Sequence, residues 1–150
     1  MSISWAIPAV LAVVTIGAWW AVRVRRARAA RLREARSIAA DLLPEVRALV
    51  DAARPDSPSA GEPAPAKHYE VLRQRLPRIL PREDLFAVET FYQCVESYRE
   101  ARRVMVRAFA VGEDENLGNR IRAKDLRDRC LNDVYYTGDA LAQKLEIFLA

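Results

Sequence analysis

Histidine and cysteine are nearly missing from this chain, which has one His and two Cys in 150 residues. Two cysteines without a CxxC pair are too few for a structural zinc site or for the disulfide framework of a small secreted domain. The lone His68 cannot supply the paired Glu-x-x-His ligands of a di-iron bundle. With no partner apparent in the sequence, it is expected to be solvated or helix-capping. Glycine-rich phosphate loops and the Gly-x-Ser-x-Gly nucleophile turn are also missing. Glu113, Asp114 and Glu115 form an acidic turn without calcium-loop spacing. No catalytic, cofactor-binding or metal-binding residue is therefore assigned, and an enzyme is not expected. Nor does any segment alternate apolar and polar residues as a half-buried strand would.

A second absence is charge at the start. Residues 1–22 carry no charged side chain, and residues 23–36 hold seven Arg against Glu34. The formal net charge of the whole chain is +4, so residues 37–150 are left at −2. All the net positive charge thus lies directly behind an apolar run. From Ile3 to Val22 that run is 20 residues, and a helix of this length spans about 30 Å, the hydrocarbon thickness of a bilayer. The expectation is a single transmembrane anchor over residues 1–22. Trp5 near one end and Trp19 and Trp20 near the other would sit at headgroup level. Arginines follow the span and none precede it, so the positive-inside rule puts the N-terminus outside and the rest in the cytoplasm, at a cytoplasmic (inner) membrane. A cleaved secretory signal is the weaker alternative, because the positive n-region is missing and Ala27–Ala30 lie among arginines. No ionisable group lies in the span, which argues against a channel or proton path. Gly17 and Ala21 form a small-xxx-small pair, a candidate helix–helix contact that an Ala-rich helix also produces by chance.

Residues 23–36 read as a juxtamembrane collar. At 100° per residue the seven arginines surround the helix. That suits anionic headgroups on every side, with Arg23, Arg25, Arg26 and Arg28 closest to them, better than a groove-reading helix. The bilayer is therefore an expected partner, and nucleic acid is set well behind it. Arg outnumbers Lys 21 to 3, a bias of GC-rich genomes that points weakly to a bacterial chain.

Beyond the collar, Leu32, Ala35, Ala39, Leu42, Val46, Leu49 and Ala53 step by three and four, widened by Ile38, Leu43 and Val50 to the breadth of bundle packing. Pro44 predicts a kink or restart. Residues 54–66 hold four of the eight prolines and no large apolar side chain, and read as a linker. Tyr69, Leu72, Leu76 and Ile79 mark one short helix bounded by Pro77 and Pro81. Two long helices follow, over about 82–111 with Gly112 as C-cap and about 119–149, where Gly138 carries a small propensity cost. The expected fold is all-α: the anchor continues into a cytoplasmic antiparallel bundle (37–150) of three long helices and one short. Cys94 and Cys130 read as reduced core residues, with a redox pair between helices as the alternative.

Phe86, Phe91, Tyr98 and Tyr136 cannot all point into one core and form the candidate partner surface. With residues 37–150 near neutral, recognition is expected through apolar and aromatic patches. The expected function is a membrane-tethered, non-enzymatic interaction or scaffold module, working through a protein partner or self-association. The alternative is an effector that oligomerises through Gly17 and Ala21.

Overall fold

The computed structural model describes residues 6–54, 65–110 and 117–150, without the side chains of residues 6–14, 16 and 17. Trp5, the interior of the proposed linker, Gly112 and the acidic turn lie outside the described residues. Five helices account for nearly all the rest: α1 (Ala6–Ala53), α2 (Lys67–Leu72), α3 (Leu76–Ile79), α4 (Arg82–Ala110) and α5 (Leu117–Leu149). There is no strand among the described residues, and the protein is all-helical. The chain divides into two units, residues 1–35 and 36–150.

In the first unit the backbone is helical from Ala6 onward. Among the described residues no helix is long and apolar enough to cross a membrane. Most side chains of the 3–22 run lie outside those residues.

The second unit is the bundle. α4 and α5 pack antiparallel, as the Lys144 Nζ to Asp84 Oδ1 approach of 3.9 Å at one end and the Arg120 Nε to Ala108 carbonyl bond of 3.3 Å at the other require. The part of α1 within this unit also runs antiparallel to α5. Arg36 Nε donates to the Phe148 carbonyl at 3.1 Å, while Val50 lies beside Gly138. It is therefore parallel to α4, and the chain must return along the bundle between the two. The stripe expected on α1 is buried from Ile38 to Ala53, and with Leu76, Val88, Phe91 and Val95 it makes the core. Leu32, by contrast, is exposed.

Two expectations need correction. Of the kink or restart expected at Pro44, the restart does not occur, since Pro44 lies inside an unbroken helix. Pro44 and Ala40 both face solvent, so water can serve the Ala40 carbonyl that loses its partner, while Leu42, Leu43 and Val46 hold the other side in the core. The single short helix is in fact two. Pro77 has no N–H for the carbonyl of Arg73, and it sits in the first turn of α3, where none is needed. The chain therefore turns at 73–75, with Arg75 N–H bonded to the Leu72 carbonyl at 2.7 Å, and begins again. Leu80, extended at ψ 144° before Pro81, then ends α3.

Candidate functional site

Among the described residues, Glu45 is a carboxylate taken into the bundle, its side chain 7% exposed. It follows Pro44 on α1 and points at the start of α2. Like every α-helix, α2 begins with N–H groups that have no partner within the helix, and no side chain of its own caps them. Glu45 does this from α1. Its Oε2 accepts the His68 N–H at 2.8 Å and its Oε1 accepts the Tyr69 N–H at 3.4 Å. The Tyr92 hydroxyl on α4 donates to Oε1 at 2.7 Å, and His68 Nδ1 lies 3.2 Å from Oε2. Tyr69 and Tyr92 stack with ring centroids 3.8 Å apart. A negative charge is thus placed where the helix dipole favours one, and three elements meet on it.

This knot is built to hold. Burial, and then the hydrogen bond from its hydroxyl to Glu45, push the Tyr92 phenol far above its ordinary acidity range. Burial likewise raises Tyr69, with Arg73 opposing. Both phenols stay neutral at physiological pH, and the Tyr92 hydroxyl remains a donor to the carboxylate. His68 keeps an exposed ring, as the sequence led one to expect, and its backbone joins the cap. Sequence reasoning missed Glu45; the signal available was an acidic residue set between the core positions Leu43 and Val46.

The remaining candidates fall in separate places. Trp19 and Trp20 are exposed, with the Arg23 guanidinium 5.1 Å from the Trp19 ring. Arg23, Arg25, Arg26 and Arg28 are exposed, as is Ala21, while the Gly17 position lies outside the described side chains. The aromatic partner surface needs correction. Phe91 and Tyr98 are buried in the core, and the Phe91 ring occupies the space that Gly138 on α5, having no Cβ, leaves. Only Phe86 and Tyr136, each 70% exposed, face solvent. No ring contact joins them among the described residues. Cys94 and Cys130 are free and half-buried on α4 and α5. Burial first, then Asp133 and Cys94, raise the Cys130 thiol, which disfavours its thiolate form.

Among the described residues no three His, Cys, Asp or Glu side chains gather as a metal site would need. What stands out is a polarity of charge. The stretch 99–129 carries nine Arg and Lys against six acids, three of them in 111–116, whereas the rest of 37–150 carries eight against thirteen. The near-neutral total conceals a basic end and an acidic one. Comparisons with protein-family models, with curated proteins and with solved structures find no match to this chain, so its function is argued from its own residues.

Proposed function

We propose that the protein is a membrane-tethered, non-enzymatic helical interaction module, or an accessory subunit of a membrane complex, held at the cytoplasmic face. The observation that carries this reading is the order of residue types along α1. An uncharged run over 3–22 precedes seven arginines in 23–36, and the same helix ends as a core element of the bundle. Apolar length suits insertion, and the arginines favour anionic headgroups and a cytoplasmic C-terminal part. The exposed indoles Trp19 and Trp20 suit the boundary between them. For the bundle, an interaction role is supported by large apolar side chains left in solvent along α4 and α5, among them Phe86, Val106, Phe109, Leu117 and Ile147.

The test is fractionation with and without the apolar run. The full chain is expected in the membrane pellet after alkaline carbonate, and a chain lacking residues 2–22 in the supernatant. A periplasm-dependent reporter fused after Ala150 is expected to be inactive. Full release of the intact chain by carbonate would refute the anchor, and an active reporter would refute the orientation.

A further inference from the structure

The α4–α5 pair has a second face, turned away from α1. On α4 the positions Phe86, Thr90, Gln93, Ser97, Glu100 and Val104 step by four and three, and on α5 Leu126, Arg129, Asp133, Tyr136 and Ala140 step by three and four. Phe86, Gln93, Tyr136 and Ala140 each lie two residues from a buried position, Val88, Val95, Gly138 and Ala142 in turn, and two residues turn a helix by about 200°. Gly138 packs on Val50 of α1, so the two stripes look the other way. Thr90 is half-buried and the rest are exposed. Phe86, Val104, Leu126 and Tyr136 thus stand in solvent on one side of a helix pair whose other side is filled. The ends of the connection from α1 to α2 lie on the filled side: Arg54 shares a hollow with Arg47 and Val50 of α1, and Pro65 shares one with Glu70 of α2.

We propose that this face binds the same face of a second copy, in a parallel dimer whose two-fold axis runs along the helices. Rotation about such an axis sets α4 of each copy against α5 of the other at equal height. Heights follow from the approach of Asp84 to Lys144 at 3.9 Å and of Ala108 to Arg120 at 3.3 Å. On that scale, within about two residues, Val104 meets the partner's Leu126, Glu100 the partner's Arg129, Ser97 the partner's Asp133, Gln93 the partner's Tyr136, and Phe86 the partner's Ala140. Apolar faces apolar, acid faces base, a hydroxyl faces a carboxylate, and a large ring faces a small side chain; symmetry makes each pair twice. Turned end for end about the middle of the face, the same stripes would set Arg129 against Ala140 and Glu100 against Thr90, with no charge opposite either. At the rims Glu83 comes level with Lys144, and Arg107 with Arg122; this last, like-charged pair bounds the face beyond Val104.

Glu100 already lies 3.2 Å from Arg103, one turn along its own helix. Both side chains are exposed, and an ion pair of this kind is weak enough to yield to a better one. The Tyr136 ring rests edge-on against Tyr135, 5.4 Å between centroids, and so is held ready rather than ordered on contact. From Glu83 to Val104 is about 30 Å of helix, and two helices side by side are about 20 Å across, giving about 600 Å² in plane before corrugation is counted; a standard interface takes roughly 800 Å² from each partner. Both copies point α1 the same way in this arrangement, as two chains anchored in one bilayer must. The inference rests on the interaction half of the function proposed above and names the partner as a second copy; the parallel sense comes from the pairing of charges and not from the anchor.

The experiment is sedimentation equilibrium of the full chain in dodecyl maltoside, with micelles in excess of protein. A dimer with a dissociation constant of about micromolar order is expected. Glu100→Arg and Arg129→Glu should each weaken it about tenfold, and the two changes together should recover most of the loss, with helical circular dichroism unchanged throughout. Gly17→Leu is expected to leave the constant as it is. The sense of the dimer is read by trapping with diamide in chains that carry Cys94→Ser and Cys130→Ser. Val104→Cys chains mixed with Leu126→Cys chains should give a dimer-sized disulfide product. The same product from Val104→Cys with Phe86→Cys chains instead would overturn the parallel sense. Loss with Gly17→Leu but not with Glu100→Arg, or no recovery in the double charge variant, would overturn the proposal. A chain that stays monomeric at about 100 μM but still carries a heterologous protein through the same detergent would overturn the dimer and leave the interaction module standing, whereas a monomer with no partner would refute both.

Discussion

Tyr92 ties α1, α2 and α4 together through one hydroxyl and one ring face. Replacing it with Phe keeps most of the stack on Tyr69 and removes the donor to Glu45. A hydrogen bond to a charged group contributes about 1.5–3 kcal/mol, and that loss is expected in chemical denaturation. The pH dependence has a definite sign. A phenol whose folded pKa lies above its unfolded value near 10 gives stability that is complete below about pH 10 and is lost as the pH rises further. The thermal midpoint should therefore fall above about pH 10, and fall less steeply in Tyr92→Phe. A second pair of residues separates core from surface. Phe91→Ala should cost about 3–5 kcal/mol, whereas Phe86→Ala should stay within about 0.5 kcal/mol. Equal costs would mean that the two rings have been placed wrongly. The sequence could not tell these rings apart. Helical spacing puts Phe91 on a stripe with Tyr98, but only the position of Gly138 on another helix says which stripe is filled.

At the level of elements, Gly138 shows a packing cost that propensity alone misreads. Ala at a mid-helix position ordinarily gains up to about 1 kcal/mol over Gly. Here a Cβ would come within 2.4 Å of Val50 Cγ2 and 2.6 Å of Phe91 Cε2, and both side chains are buried. Gly138→Ala is expected to destabilise by about 1–3 kcal/mol through overpacking. Val50→Ala in the same chain should recover part of this, read as non-additivity in a double-mutant cycle. The long helices were legible because their apolar steps of three and four continue for many turns. Pro44 and Pro77 were harder, since each removes one hydrogen bond and the outcome depends on what lies opposite. Water faces Pro44 and the helix continues; at Pro77 the chain has a turn available and takes it.

On the scale of the whole molecule, charge is divided twice. The collar at 23–36 is basic, most of the bundle is acidic, and the end of α4 and α5 is basic again. A single sum over 37–150 hides this, although counting along the chain would have shown it. What no count could show is that α1 ends at Ala53 while α4 continues to Ala110. The parallel course of α1 and α4 has a consequence for chain length. Glu45 lies about 12 Å below Ala53 along α1 at 1.5 Å per residue, and it holds the start of α2. Segment 54–66 therefore has only some 10–20 Å to cover, although thirteen extended residues reach about 40 Å. The connection has slack, and removing residues 57–62 should leave the melting temperature within about 2 °C of the full chain, whereas removing residues 54–66 altogether should pull α2 from Glu45 and lower it clearly. Surplus of this kind lets the connection change in length and composition while the core on either side of it stays fixed.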